Sequence, residues 1–163
     1  MARKVFFSFH YENDISRVMV VRNRWVTYGG QLASQVIDNA DFEQVKRKGQ
    51  NAIEQWIDKQ LEGTTATIVL IGSETLQRPY VQYEICKSIE RGNAIIGVYI
   101  NNIKNLQGQV SMPCPKHTII GYYKDGTPAY FDQVVDAIYD YYSNDGYTHL
   151  HRWIEDAVRR KNG

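Results

Sequence analysis

The stretch Thr64-Thr65-Ala66-Thr67-Ile68-Val69-Leu70-Ile71-Gly72-Ser73-Glu74-Thr75-Leu76-Gln77-Arg78-Pro79-Tyr80-Val81-Gln82-Tyr83-Glu84-Ile85, continuing to Arg91, decides the fold. Residues 65–71 form a β-branched apolar run ending at Gly72, which suits a strand buried on both faces. A polar loop over 73–78 follows. Pro79 opens a helix over 79–91 and Gly92 closes it. In α/β sheets, ligands bind outside the carboxyl ends of such strands. Glu84 lies one turn into the helix that follows one, which makes it a candidate functional carboxylate.

Working outward, Val5-Phe6-Phe7-Ser8-Phe9 reads as a first strand. The polar loop His10–Asp14 follows, with Asn13 or Asp14 capping a helix through Ile15, Val18 and Met19. Gln35–Asp38 reads as a short second strand. Ala52, Ile53, Trp56, Ile57, Gln60 and Leu61 fall at helical spacing before Gly63. Ala94–Ile100 is another buried-type strand. Residues 101–118 read as a loop, with Gly108 and Pro113-Cys114-Pro115 as breakers. The pattern then gives a last strand at 118–123, a turn at 124–128, and helices at about 131–142 and 147–161. Strands alternating with helices predict a flavodoxin-like three-layer α/β fold with a central parallel sheet in the order 2-1-3-4-5 and extra C-terminal helices. One domain over 1–163 is expected.

Composition narrows the function. Of the 163 residues, 43% are hydrophobic and 23% charged, with a formal net charge of +1. That balance gives no footprint for nucleic acid or a membrane surface. Cys86 and Cys114 are too few for a disulfide framework and fit a reduced, cytoplasmic setting. The N-terminal apolar run is interrupted at Ser8 and His10, short of a signal-peptide core, and no segment approaches the roughly 20 apolar residues of a membrane span. No G-x-G-x-x-G follows any strand and no G-x-x-x-x-G-K-[ST] occurs, so the dinucleotide fingerprint is absent and P-loop phosphate chemistry is not expected. The loop after the first strand is bulky, without a glycine to let backbone approach phosphate, which argues against a flavin site. Ile71-Gly72 stands where a receiver domain needs a phosphoacceptor aspartate. His149 and His151 are two apart and cannot share a helix face, so no metal site is read. Cys86 reads as a small core residue. Trp25 and Trp153 read as helix anchors against the sheet.

Val81, Ile85 and Ile89 mark a buried stripe on the helix 79–91. Glu84 lies about 100° from its middle, a border position. A glutamate so placed is as a rule a solvated helix carboxylate, so periodicity alone leaves it a candidate.

A resemblance adds weight. Arg3-Lys4-Val5-Phe6-Phe7-Ser8-Phe9-His10-Tyr11, Val20-Val21-Arg22-Asn23-Arg24-Trp25-Val26-Thr27, Val69-Leu70-Ile71-Gly72-Ser73, Arg78, Val81, Tyr83-Glu84-Ile85, Lys87-Ser88-Ile89-Glu90, Gly92-Asn93, Ile95-Ile96-Gly97 and Asn144-Asp145-Gly146-Tyr147 resemble the TIR-like proteins of the Thoeris antiphage system. The resemblance spans nearly the whole chain. It implies an enzyme that cleaves NAD⁺ and makes a cyclic ADP-ribose isomer, an immune second messenger that switches on a partner effector. It implies Glu84 as the catalytic residue and the first-strand loop, Ser8, Phe9, His10 and Tyr11, as part of the substrate pocket. Asn23, Arg78 and Tyr83 are further pocket candidates. NAD⁺ is then substrate, with no separate cofactor. A phage-derived trigger and a homo-oligomer are further implied partners.

One carboxylate suits that chemistry. Glycosidases pair two carboxyl groups because an alkoxide leaves poorly. The pyridinium of NAD⁺ leaves as neutral nicotinamide, so the demand falls on stabilising oxocarbenium-like charge and holding ribose hydroxyls. Phe9 and Tyr11 could stack on a base, against a core-packing alternative. Arg78 before Pro79 is a candidate pyrophosphate contact, against an exposed arginine where the helix dipole offers no help. Two other readings stay open: a non-catalytic TIR-like interaction module, since fold does not fix function, and plain NAD⁺ hydrolysis.

Overall fold

The computed structural model describes residues 3–27, 29–32 and 47–162. Strand β1 (Lys4–Ser8) leads into helix α1 (Tyr11–Thr27), the two-residue strand β2 (Gln31–Leu32) and helix α2 (Gln50–Leu61). Strand β3 (Ala66–Ile71), a 3₁₀ turn at Thr75–Gln77, helix α3 (Pro79–Arg91) and strand β4 (Ala94–Tyr99) follow. A hairpin of β5 (Ile119–Tyr122) and β6 (Pro128–Tyr130), the single-turn helix α4 (Phe131–Val134), strand β7 (Ala137–Asp140) and helix α5 (Gly146–Asn162) complete the chain.

Strands β2-β1-β3-β4-β7 form one sheet, and all four of its pairings are parallel. This is the expected order, on a flavodoxin-like fold. The period-2 alternation of side chains sorts the apolar residues into two layers. Val5, Phe7, Ile68, Leu70, Ile96 and Val98 face α1 and α5, where Trp25, Trp153 and Ile154 cover them. On the other face Val69, Ile71 and Ile95 meet Val81 and Ile85 of α3, and Phe6 meets Ile53, Ile57 and Leu61 of α2. Every residue of β3 is buried, which is why it reads as a continuous apolar run. Both tryptophans expected to anchor helices do so: Trp25 is 4% exposed, and Trp153 stacks on Tyr139 at 4.1 Å between centroids.

Several sequence expectations are corrected. The fifth strand of the sheet is β7, inside the segment expected to be a helix over 131–142. Phe131, Val134, Val135 and Ile138 do carry helical spacing, but only one turn forms. The chain then extends, because Asp136 both donates its backbone N–H to the Ile95 carbonyl (2.8 Å) and accepts from the Ile95 N–H through its carboxylate (2.7 Å). Tyr141 closes the other end on the Tyr99 carbonyl at 2.9 Å. Pairing with β4 overrides the local pattern, as tertiary context often does. The strand expected at 118–123 belongs to the separate antiparallel hairpin. Helix α1 starts at Tyr11, and the Asp14 N–H donates to the His10 carbonyl, so neither Asn13 nor Asp14 caps it. The strand expected at 35–38 lies outside the described residues.

Trp153 fills space between α5 and the sheet. Trp153→Ala is expected to cost about 3–5 kcal/mol and Trp153→Phe clearly less, measured by denaturant unfolding at constant m-value.

Candidate functional site

The site is built where β1 ends and α3 begins. Even-numbered residues of β1 face α2 and α3, so Ser8, fully buried at its carboxyl end, points its hydroxyl at α3. There Ser8 Oγ donates to Glu84 Oε1 at 2.9 Å. Glu84 is half-buried, in keeping with its border position, and lies toward the sheet side of that border. On α3 the buried residues are Val81, Ile85 and Ser88, whereas Ile89 is 40% exposed. Replacing Ile89 by Ser88 turns the stripe's centre to about 70° from Glu84. A small polar residue, invisible to a search for apolar spacing, sets the rotation of the helix.

That rotation is locked by hydrogen bonds. Thr67 Oγ1 and Ser88 Oγ lie 2.6 Å apart, and Ser88 Oγ also reaches the Glu84 carbonyl at 2.7 Å. Asn93 Nδ2 donates to Thr67 Oγ1 (3.3 Å) and to Thr64 Oγ1 (3.0 Å). All four side chains are buried, so each must find partners within the protein. The seam fixes the register of α3 against β3, and with it the position of Glu84.

The electrostatics of Glu84 are unusual for a helix carboxylate. Burial pushes its pKa up to about 8, and the Ser8 hydrogen bond opposes that only in part. Among the described residues no cation pairs with it. A half-buried carboxyl with one hydroxyl donor and no counter-charge among the described residues is disfavoured when ionised. Such groups cluster at functional sites.

The other predicted residues divide. His10 follows Ser8 by two residues and lies beside Arg78. Its pKa is lowered, first by burial and then by the Arg78 charge. Arg78 forms an ion pair with Glu74 at 3.2 Å. Phe9 lies on the opposite face of the sheet from Ser8 and packs against the α1/α5 core, with Tyr11 6.2 Å away between ring centroids. The core-packing alternative therefore holds for Phe9. Tyr83 adjoins Glu84 in sequence but turns toward α2, where its hydroxyl donates to Asp58 at 2.9 Å. Asn23 is exposed, twelve residues along α1 from Tyr11, or about 18 Å of helix away from the rim. The structure thus gathers Ser8, His10, Arg78 and Glu84 and leaves Asn23, Tyr83 and Phe9 facing elsewhere.

Sequence reasoning missed the supports of this rim. Asp14 is 1% exposed and lies against Gly72, where any Cβ would collide with its carboxylate. Thr75 Oγ1 accepts from the Gly72 N–H at 2.7 Å and faces Asp14 Oδ2 at 3.4 Å. Arg17 sits 3.8 Å from Asp14 and donates to the carbonyls of Ile103 (2.6 Å) and Gln109 (2.9 Å), tying the loop after β4 to α1. The 14/17 spacing of opposite charges was the available signal. Cys86 is half-buried with a raised pKa, in keeping with its reading as a core residue.

A parallel sheet in this order, with a half-buried glutamate hydrogen-bonded to the end of its first strand, fits a TIR-like α/β domain. Residues 6–105, which include every candidate site residue, match the family described as Thoeris protein ThsB, TIR-like domain. A relative from Bacillus cereus (strain MSX-D12), named "Putative cyclic ADP-D-ribose synthase ThsB1", is 36% identical over 191 aligned residues, covering 94% of this chain and 100% of the relative. The chain belongs to the Thoeris ThsB TIR-like family. No helix among the described residues is long and apolar enough to cross a membrane.

The raised pKa has a consequence for stability. The contribution of a protonated Glu84 is fully present below its ordinary value of 4.5 and is lost as pH rises through about 8. Asp14, pushed by burial up to about 6, acts in the same direction over a lower window. Glu84→Gln is therefore expected to match wild-type stability near pH 4 and to exceed it above pH 8. Denaturant midpoints across that range would check this, and parallel pH curves for the two proteins would contradict it.

Proposed function

We propose that the chain is a single TIR-like domain over 1–163 that cleaves the nicotinamide–ribose bond of NAD⁺ and closes the remainder into a cyclic ADP-ribose isomer. The observation that carries this reading is the half-buried Glu84 carboxyl, hydrogen-bonded to Ser8 with no counter-ion among the described residues. A binding site that strips a carboxylate of its partners raises its affinity for a cation brought by substrate, here the positively charged nicotinamide riboside end of NAD⁺. The name of the Bacillus cereus relative, "Putative cyclic ADP-D-ribose synthase ThsB1", supports the same chemistry.

In the first step the N-glycosidic bond breaks and its electron pair stays on the ring nitrogen, leaving neutral nicotinamide. The positive charge moves to the ribose anomeric carbon and its ring oxygen. The Glu84 carboxylate stabilises that charge and accepts hydrogen bonds from ribose hydroxyls, and Ser8 holds it in place. A nucleophilic group elsewhere on the same molecule then attacks the anomeric carbon and loses one proton. Proximity favours this attack over that of water when the substrate is folded back. NAD⁺ is substrate, and the domain needs no other cofactor. The product acts as an immune second messenger on an effector of the same cytoplasmic antiphage system, with activity released by a phage-derived trigger. Exposed Leu106, Met112, Tyr122 and Tyr142 offer surface for self-association.

The test is chromatography with mass detection on NAD⁺ incubated with wild type and with Glu84→Gln, both purified and in lysates of infected cells. A product with the mass of cyclic ADP-ribose is expected from wild type and at least about 10²-fold less from the variant. ADP-ribose alone would replace cyclisation by hydrolysis. No NAD⁺ product under any condition would leave a non-catalytic interaction module. Because the ionised carboxylate is the active form, kcat/KM is expected to rise about tenfold per pH unit below pH 8 and to level off above it. A flat profile between pH 5 and 8 would contradict that role.

A further inference from the structure

Two buried polar atoms at the rim have no hydrogen-bond partner among the described residues: Nε of Arg78 and Nδ1 of His10. His10 ends the loop after β1, Arg78 precedes α3, and His10 lies within the electrostatic reach of both Arg78 and Glu74. Beside them stands Glu74, which lies between the two elements of the rim. Its Oε1 forms an ion pair with Arg78 Nη2 at 3.2 Å, and its Oε2 accepts from Asn13 Nδ2 at 2.5 Å. A carboxylate thus occupies a cradle formed by the first turn of α1 and the entry to α3. The Arg78 fork still has unused donors there.

We propose that the Arg78–His10–Asn13 corner is an anion subsite for a pyrophosphate, and that Glu74 is a built-in competitor that swings out when a phosphate enters. The proposal rests on the NAD⁺ reading above only for the identity of the ligand that brings the pyrophosphate. Three arguments support it. First, the chain order places the two pairs along the same rim. Ser8 donates to Glu84 at 2.9 Å; His10, two residues further along the chain, and Arg78, the residue that precedes the helix, each keep a buried nitrogen without a hydrogen-bond partner. Arg78 stands six residues before Glu84, about 9 Å along the helix, a span suited to one ribose and its phosphate linkage. Second, a phosphate presents more oxygens than a carboxylate, so it can engage Arg78 Nε and His10 while Glu74 cannot satisfy both. Third, displacement is cheap. Side chains of Arg78 and Glu74 are 41% and 47% exposed, and ion pairs of that kind contribute little. Without Glu74, α3 would present an arginine at its positive end, an arrangement that favours an anion.

The experiment is calorimetric titration of inorganic pyrophosphate into wild type, Glu74→Gln, Arg78→Gln and Arg78→Lys. Glu74→Gln is expected to bind about two- to fivefold more tightly, the factor an exposed ion pair is worth. Arg78→Gln is expected to bind at least about tenfold more weakly, with Arg78→Lys between it and wild type. The KM for NAD⁺ should fall in Glu74→Gln by the same factor, and pyrophosphate should inhibit NAD⁺ consumption competitively. Unchanged or weaker pyrophosphate binding by Glu74→Gln would overturn the competitor, and unaltered binding by Arg78→Gln would overturn the subsite. If the pyrophosphate series behaves as expected but NAD⁺ is neither bound nor consumed, the cradle stands and the NAD⁺ reading falls.

Discussion

A carboxyl group pressed against a sheet with one serine hydroxyl for company is the constraint around which this domain is arranged. Leaving Glu84 ionised there is unfavourable, and nothing in the fold's stability requires it. Two elements hold it in place all the same. The end of β1 delivers Ser8 from one side, and the Thr64–Thr67–Ser88–Asn93 seam fixes α3 from the other. Mutating the seam would test positioning, because none of its side chains reaches the rim and all of them set where Glu84 stands.

The rim above Glu84 is organised by charge. Glu74 and Arg78 sit at its outer edge, while Asp14 and Arg17 lie beneath it and draw the loop after β4 onto α1. The inner pair is buried and the outer pair is half exposed. Inner charges of this kind are costly to disturb, and outer ones rearrange easily. A rigid base with an adjustable edge suits a site that must admit a charged ligand and then exclude water.

Most of the fold was legible because its central strands are buried on both faces. The 65–71 run and the helix 79–91 are bounded by unambiguous punctuation: Pro79 at the first helical position and Gly92 in a left-handed conformation. The errors have physical causes. Residues 137–140 carry a helical pattern inherited from Phe131, Val134 and Val135, and only their pairing with β4 makes them a strand. The hairpin 119–130 belongs to a second small sheet that no local signal separates from the first. Glu84 was a candidate by its place after a strand and gained weight from the resemblance; it is half-buried, as a border position implies, although Ser88 rather than Ile89 completes the buried face of the helix. Asn23 and Tyr83 were added as pocket candidates beside the resemblance; Asn23 is exposed far along α1, and the Tyr83 hydroxyl turns to Asp58 of α2. Glu74 was overlooked although its spacing of four from Arg78 is readable, because a pair of that kind usually marks an exposed helix surface.

The central claim is that Glu84, held beside Ser8 with a raised pKa, waits mostly protonated for a cation. The direct measurement is a carbon-13 NMR titration of the glutamate side-chain carboxyls, with Glu84 assigned by its absence in Glu84→Gln. The account predicts a midpoint near 8 in the free protein, falling when NAD⁺ is added. A midpoint in the ordinary glutamate range near 4.5, unmoved by NAD⁺, would contradict it.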